Sequence, residues 1–245
     1  MAKRVFIGVG HGGSDPGAVG YVREAEANLT IALELKRILE DVGIVVGISR
    51  LRDENDPLSE EIKEANAFKP DFAIDVHNNA GGGDGFEVFV QTGTHAAKSK
   101  KAGQLIERYV KAMGQNSRGI KTKLNDAGKD YFGFLRQVNY PAVIVEGFFV
   151  DNKKDATDFD TVIEQKILAS AYAAAILEHL GVAETVTPSP ALFRVQVGAF
   201  ANRANAEKLS KDLTAKGYPA YIVQAQKEKE AVQRDLLPHM LWTTR

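Results

Sequence analysis

The chain has 245 residues, 44% of them hydrophobic and 26% charged, which is enough to bury a core and too apolar for a disordered polymer. Its 31 basic and 32 acidic side chains leave a net charge of -1, so no general field draws it to nucleic acid or an anionic membrane, and binding has to come from local sites. With no cysteine, disulfides and thiol chemistry are excluded, and any metal site must be built from His, Asp and Glu.

Short β-branched runs alternate with helical patterns from the start: a strand at 5–9, a helix at 23–42, a strand at 44–49, a helix at 60–68 and a strand at 72–76. A strand at 86–90, a helix at 96–113, a strand at 142–146 and a helix at 160–180 continue the series. This alternation predicts an α/β fold, a mainly parallel twisted sheet flanked by helices. Between Gly114 and Pro141 the pattern is irregular, with several glycines and aromatics, and is expected to be a substrate-facing loop region. After Gly181 the run VAETVTPSPA carries two prolines and no period, as a linker does. The expected organisation is a main domain over 1–180, a linker over 181–191 and a small partial α+β C-terminal module over 192–245, with a strand at 193–197, a helix at 202–216 and a strand at 220–223. The N-terminal MAKRVFIGVGHGG is too short and too glycine-broken for a signal-peptide core, and no run reaches the ~18 apolar residues of a membrane helix. Synthesis in the cytoplasm without a signal peptide is the expectation.

His11, His77 and Glu146 each fall at or just past the carboxyl end of a predicted strand, where open α/β sheets place their ligands. Taken singly, each also reads as an ordinary hydrogen-bonded strand-end residue; their joint placement favours a site. Glu24 shares a helical stripe with Asn28, Ile31, Leu35, Ile38 and Leu39, the face that packs onto the sheet, whereas Glu26 lines up with Thr30, Glu34 and Arg37 on the solvated face. An inward carboxylate needs a partner such as a metal, although a first-turn acid is also favoured by the helix dipole. Two imidazoles and one carboxylate make an open zinc site, with water in the fourth position. Zinc acidifies that water and polarises a carbonyl, which suits amide hydrolysis at neutral pH. Glu146, ending the apolar run AVIVE, is placed to take the water's proton and pass it to the leaving nitrogen. Asp75 lies on the same side of its strand as His77 and is placed to orient the imidazole, with Asn78 and Asn79 as further outer or substrate contacts.

Gly8, Gly10 and Gly13 formally satisfy the dinucleotide fingerprint G-x-G-x-x-G. The context fails it, because Ser14, Asp15, Pro16 and Gly17 intervene and the helical period begins only near Arg23. His95, His179 and His239 are scattered at helix ends and in the tail, and no chemistry is assigned to them.

The segments GHGGSDPGAVG with REAEANLTIALEL, DVHNNAGGGDGFEVFV and PAVIVEGFFVDN resemble, in order and spacing, the type-3 N-acetylmuramoyl-L-alanine amidases, over about residues 4–180. The resemblance implies zinc ligands at His11, Glu24 and His77, a catalytic glutamate at Glu146, and peptidoglycan as the substrate. Two positions depart from the family pattern: Glu61 or Lys63 stands about where many members carry arginine, and Asp75 stands where serine is frequent. The segment LFRVQVGAFANRANAEKLSKDLTAKGYPAYIV resembles the first half of a sporulation-related repeat, a module that binds glycan strands stripped of their peptides. The chain after Gln224 does not match the remainder of that fold, and half a module is too small to bury a core alone, so weak or absent glycan binding is expected. Another open-site zinc hydrolase of the wall and a metal-free wall-binding protein are the rival readings. As an amidase without a signal peptide, the protein would reach the wall after a phage opens the membrane or after mother-cell lysis.

Overall fold

The computed structural model describes residues 2–182, 200, 202–216 and 222. The chain divides into two compact units, Met1–Pro188 and Ser189–Arg245. In the second, α7 (Arg203–Ala215), capped by the Asn202 side chain, occupies the place of the expected helix. The strands expected at 193–197 and 220–223 lie outside the described residues.

In the first unit the order is β1 (Arg4–Val9), α1 (Glu24–Asp41), β2 (Val45–Ile48), α2 (Leu58–Phe68), β3 (Phe72–Asn79), β4 (Phe86–Val90), α3 (Ala96–Ala112), β5 (Ser117–Lys121), α4 (Gly133–Gln137), β6 (Ala142–Phe149), α5 (Lys153–Phe159) and α6 (Val162–Leu180). The strands form one six-stranded sheet ordered β2-β1-β3-β6-β4-β5. Four of its five pairings are parallel, and only β4 runs antiparallel to its neighbour β6. The mainly parallel sheet expected from the alternation is therefore present.

Side-chain alternation along the strands separates two cores. Val5, Ile7 and Val9 of β1, Phe72, Ile74 and Val76 of β3, and Val143 and Val145 of β6 join a large cluster with residues of α1, α3 and α6. Phe6, Ala73, Ala142 and Ile144, from the opposite face, pack with Ile62 and Ala65 of α2 and with Phe134 and Leu135 of α4. The same period of two places Gly8, Asp75, His77, Glu146 and, on β4, Glu87 on this second face.

The stretch 114–141 differs from the expected loop, since it holds β5 and α4. β5 is a partly exposed edge strand reading SRGIK, with Gly119 at φ 93, so it lacks the apolar alternation that marks a strand. α4 has five residues, too few to show a helical period. The helical stretch near 160–180 is preceded by a separate short helix: Asn152 caps α5, and a capping box between Thr161 and Glu164 starts α6 afresh. Gly181, in the left-handed conformation, ends it.

Candidate active site

Beyond β1 the chain leaves the sheet through His11, whose φ of 64 is unusual for a residue with a side chain. Arg50, 2% exposed, fixes this turn from beneath. Its guanidinium donates to the carbonyls of Val9 at 3.1 Å, Gly10 at 3.3 Å and Ala25 at 2.8 Å, tying β1 to the start of α1. Asn28 adds a bond from Nδ2 to the Gly10 carbonyl at 3.0 Å. Gly10 has no alternative at its position, since a Cβ there would overlap the His77 ring.

Glu24 opens α1 and is 4% exposed, while the Glu26 side chain is 67% exposed and pairs with Arg23. The inward and outward assignments of the two acids thus hold. Glu24 Oε1 lies 3.3 Å from His11 Nε2 and 3.1 Å from His77 Nδ1. Among the described residues, His11, Glu24 and His77 form a group whose ligand atoms all lie within 4.8 Å of one another. Three elements distant in sequence therefore converge, and their nitrogen and oxygen donors suit zinc.

The outer nitrogen of each imidazole also meets a carboxylate. His11 Nδ1 is 2.9 Å from Asp15 Oδ2, and His77 Nε2 is 3.4 Å from Asp75 Oδ2. A carboxylate on the far nitrogen fixes the tautomer that turns the other nitrogen's lone pair inward. Sequence reasoning chose Asp75 and missed Asp15, although a carboxylate four residues after a histidine in a tight turn was a usable signal. Asn78 is buried: its backbone N–H donates to Glu24 Oε1 at 3.2 Å and its Nδ2 to Asn28 Oδ1 at 2.7 Å. It thereby helps to position Glu24. Asn79 Nδ2 donates to Glu87 Oε2 at 3.3 Å, and its own Oδ1 accepts from the Ala80 N–H at 2.8 Å.

Charge state follows from these contacts. Burial raises the Glu24 carboxyl, but bonds to His11 and His77 outweigh it and hold Glu24 well below the usual range. His11 is raised, chiefly by its bond to Glu24. Burial lowers His77, yet the charges of Asp75 and Glu24 around it leave it well above its ordinary value. Glu146, the lateral neighbour of His77 in the β3–β6 pairing, is pushed up to about 7 by burial. Proton transfer near neutrality is suited to a carboxyl of that value. Beneath His77, Glu61 Oε1 and Asp75 Oδ1 face each other over Gly8, and neither finds a donor. Burial, followed by the Asp75 charge, raises Glu61 well above its ordinary value. Of the two positions offered for the missing arginine, Glu61 is thus the one that neighbours Asp75 in space.

His95 precedes α3, its Nε2 3.1 Å from the Asn139 carbonyl oxygen, and His179 packs against Phe72 in the last turn of α6; neither joins the group. His239 lies outside the described residues.

The N-acetylmuramoyl-L-alanine amidase family model matches residues 5–178, and the SPOR domain model matches residues 189–233. The latter match runs past Gln224, where the resemblance read from the sequence stopped. The chain is 33% identical over 223 residues to a sporulation-specific N-acetylmuramoyl-L-alanine amidase of Bacillus subtilis, covering 90% of this chain and 84% of that one. It is 34% identical over 164 residues to an endolysin of Bacillus phage SPP1, covering 64% of this chain and 58% of that one. Among solved structures it is similar to Cwp6 from Clostridium difficile, with a TM-score of 0.71 and 33% identity over 74% of this chain, and it spans 30% of Cwp6's own length. It is also similar to the catalytic domain of the amidase CwlV from Bacillus (Paenibacillus) polymyxa, with a TM-score of 0.66 and 27% identity over 74% of this chain and 99% of that one. The match over most of the chain, on a fold and a His-Glu-His group already visible in the structure, makes this chain a member of the N-acetylmuramoyl-L-alanine amidase family, joined to a SPOR domain.

Proposed function

We propose that this protein is a zinc-dependent N-acetylmuramoyl-L-alanine amidase, in which His11, Glu24 and His77 hold the metal and Glu146 moves the proton. The observation that supports it best is the convergence of the three ligand atoms within 4.8 Å, next to a half-buried carboxyl raised to about 7. A zinc ion there supplies Lewis-acid polarisation of the carbonyl and an acidified water. Glu146 accepts a proton from the attacking water as its oxygen bonds to the lactyl carbonyl carbon of muramic acid. It then delivers that proton to the alanine nitrogen as the C–N bond breaks, leaving a carboxylate on the glycan and a free amino group on the peptide. Asp15 and Asp75 hold the imidazoles in the ligating tautomer, and Asn28, Asn78 and Arg50 hold the elements that carry them. The SPOR domain is assigned to glycan strands on the strength of its family match alone.

The test is release of free amino groups from purified peptidoglycan. It is run on intact protein, on protein stripped by chelator and then restored with zinc, and on Glu146→Ala. Activity lost with the metal, recovered with zinc and absent in the variant establishes the assignment. No release from any wall tested refutes it and favours a binding protein with an enzyme-like fold.

A further inference from the structure

The row of ionisable groups on the second face of the sheet does not end at Glu146. Its antiparallel register partner on β4 is Glu87, which is 4% exposed. Glu87 Oε1 accepts from Lys121 Nζ at 2.6 Å and also from Arg118 Nε, both residues lying on the edge strand β5. Two cations on one carboxylate leave an excess of one positive charge. That charge is accessible: the Arg118 side chain is 43% exposed and that of Lys121 33%. It is also fixed, because the guanidinium lies 5.2 Å from the centroid of the Phe149 ring while its Nε is held by Glu87. The terminal nitrogens of Arg118 have no hydrogen-bond partner among the described residues. A part-exposed cation held by packing and a buried acid, with donors to spare, is preorganised for a carboxylate.

Position gives the cations a meaning. His77, Glu146 and Glu87 are register neighbours on β3, β6 and β4, and Lys121 on the adjacent β5 pairs with Phe89, two residues along from Glu87; neighbouring strands lie about 4.8 Å apart. A substrate whose amide sits between His77 and Glu146 can therefore lay one of its two halves across β4 toward β5. The N-acetylated sugars of the glycan half are uncharged, whereas the peptide half carries carboxylates. Two extended residues cover about 7 Å, and the Arg118 guanidinium is bonded through Nε to Glu87 of β4. Resting on the amidase reading, we infer that Arg118 and Lys121 bind the free α-carboxylate of the second stem-peptide residue, so that the enzyme prefers peptidoglycan in which this group is not amidated.

Two disaccharide-pentapeptides, identical except that the second residue carries an α-carboxylate or its amide, test the inference on the full zinc-loaded chain. One charge-assisted hydrogen bond predicts about a tenfold higher kcat/KM for the free acid, carried by KM. The ratio falls to about one in R118Q/K121Q, and it survives in R118K and K121R, which keep the charge. The unmodified chain decides the point even if the double variant folds poorly. Equal rates on both substrates, a ratio that survives in the folded double variant, or cleavage of neither fragment by protein that still opens whole wall overturns the inference. No release from whole wall refutes the amidase reading itself.

Discussion

Replacing Glu146 with glutamine should cut hydrolysis by the zinc-loaded enzyme and raise the stability of the zinc-free protein at alkaline pH. The carboxyl rises from its ordinary 4.5 to about 7 in the fold, with burial as the leading cause. A group raised on folding contributes stability that is fully present below the unfolded value of 4.5 and is lost as the pH climbs through about 7. Each pKa unit of that rise corresponds to about 1.4 kcal/mol, so the full loss is at most about 3.5 kcal/mol; it is an upper bound because Glu146 keeps partial exposure. Glutamine carries no charge at any of these pH values and escapes the loss. Urea unfolding of both chelated proteins, followed from about pH 5 to about pH 9, should give curves that separate progressively above pH 5, the variant being the more stable. Restoring zinc should narrow the gap, since a nearby cation favours the carboxylate. Parallel stability curves would refute the raised, proton-poised state of Glu146. Hydrolysis by the variant should drop by ~10²-fold or more, the usual contribution of a general acid–base group.

Zinc affinity should tighten as the pH rises, because His11 and His77 are both raised in the metal-free protein and must shed their protons to ligate; competition against a chromogenic chelator would read a pH-independent constant if the histidines were already neutral. Asp75→Asn should weaken zinc binding about ten- to a hundredfold by loosening the His77 orientation, and an unchanged affinity would assign Asp75 a purely structural place. Arg50→Met should cost about 3 kcal/mol or more in urea unfolding, since buried carbonyls of Val9 and Ala25 lose their guanidinium donor; a shift within a few tenths of a kcal/mol would mean the turn at His11 holds itself.

Periodicity alone determined much of this protein. The β-branched runs and helical stripes located the four parallel strands and the three long helices, because each element buries a face whose spacing is written locally. The stripe through Asn28, Ile31 and Leu35 turned Glu24 inward, and strand ends marked His11, His77 and Glu146. Tertiary structure alone decided what depends on neighbours distant in sequence. β5 exists because an edge strand can pair through its backbone without an apolar pattern, and α5 is separated from α6 by caps that the helical period does not reveal. Arg50 looks like a surface residue until the carbonyls of Val9, Gly10 and Ala25 close around it. Glu61 reads as one of several acids on a polar helix and meets Asp75 only across Gly8. Glu87, Arg118 and Lys121 become one site only when β4 and β5 lie side by side. The candidate ligands and Asp75 could be picked out because chemistry limits which residue types bind a metal and a strand's period of two shows which share a face; Asp15 and the cations of β5 could not, because their places arise from turn geometry, register and packing between segments.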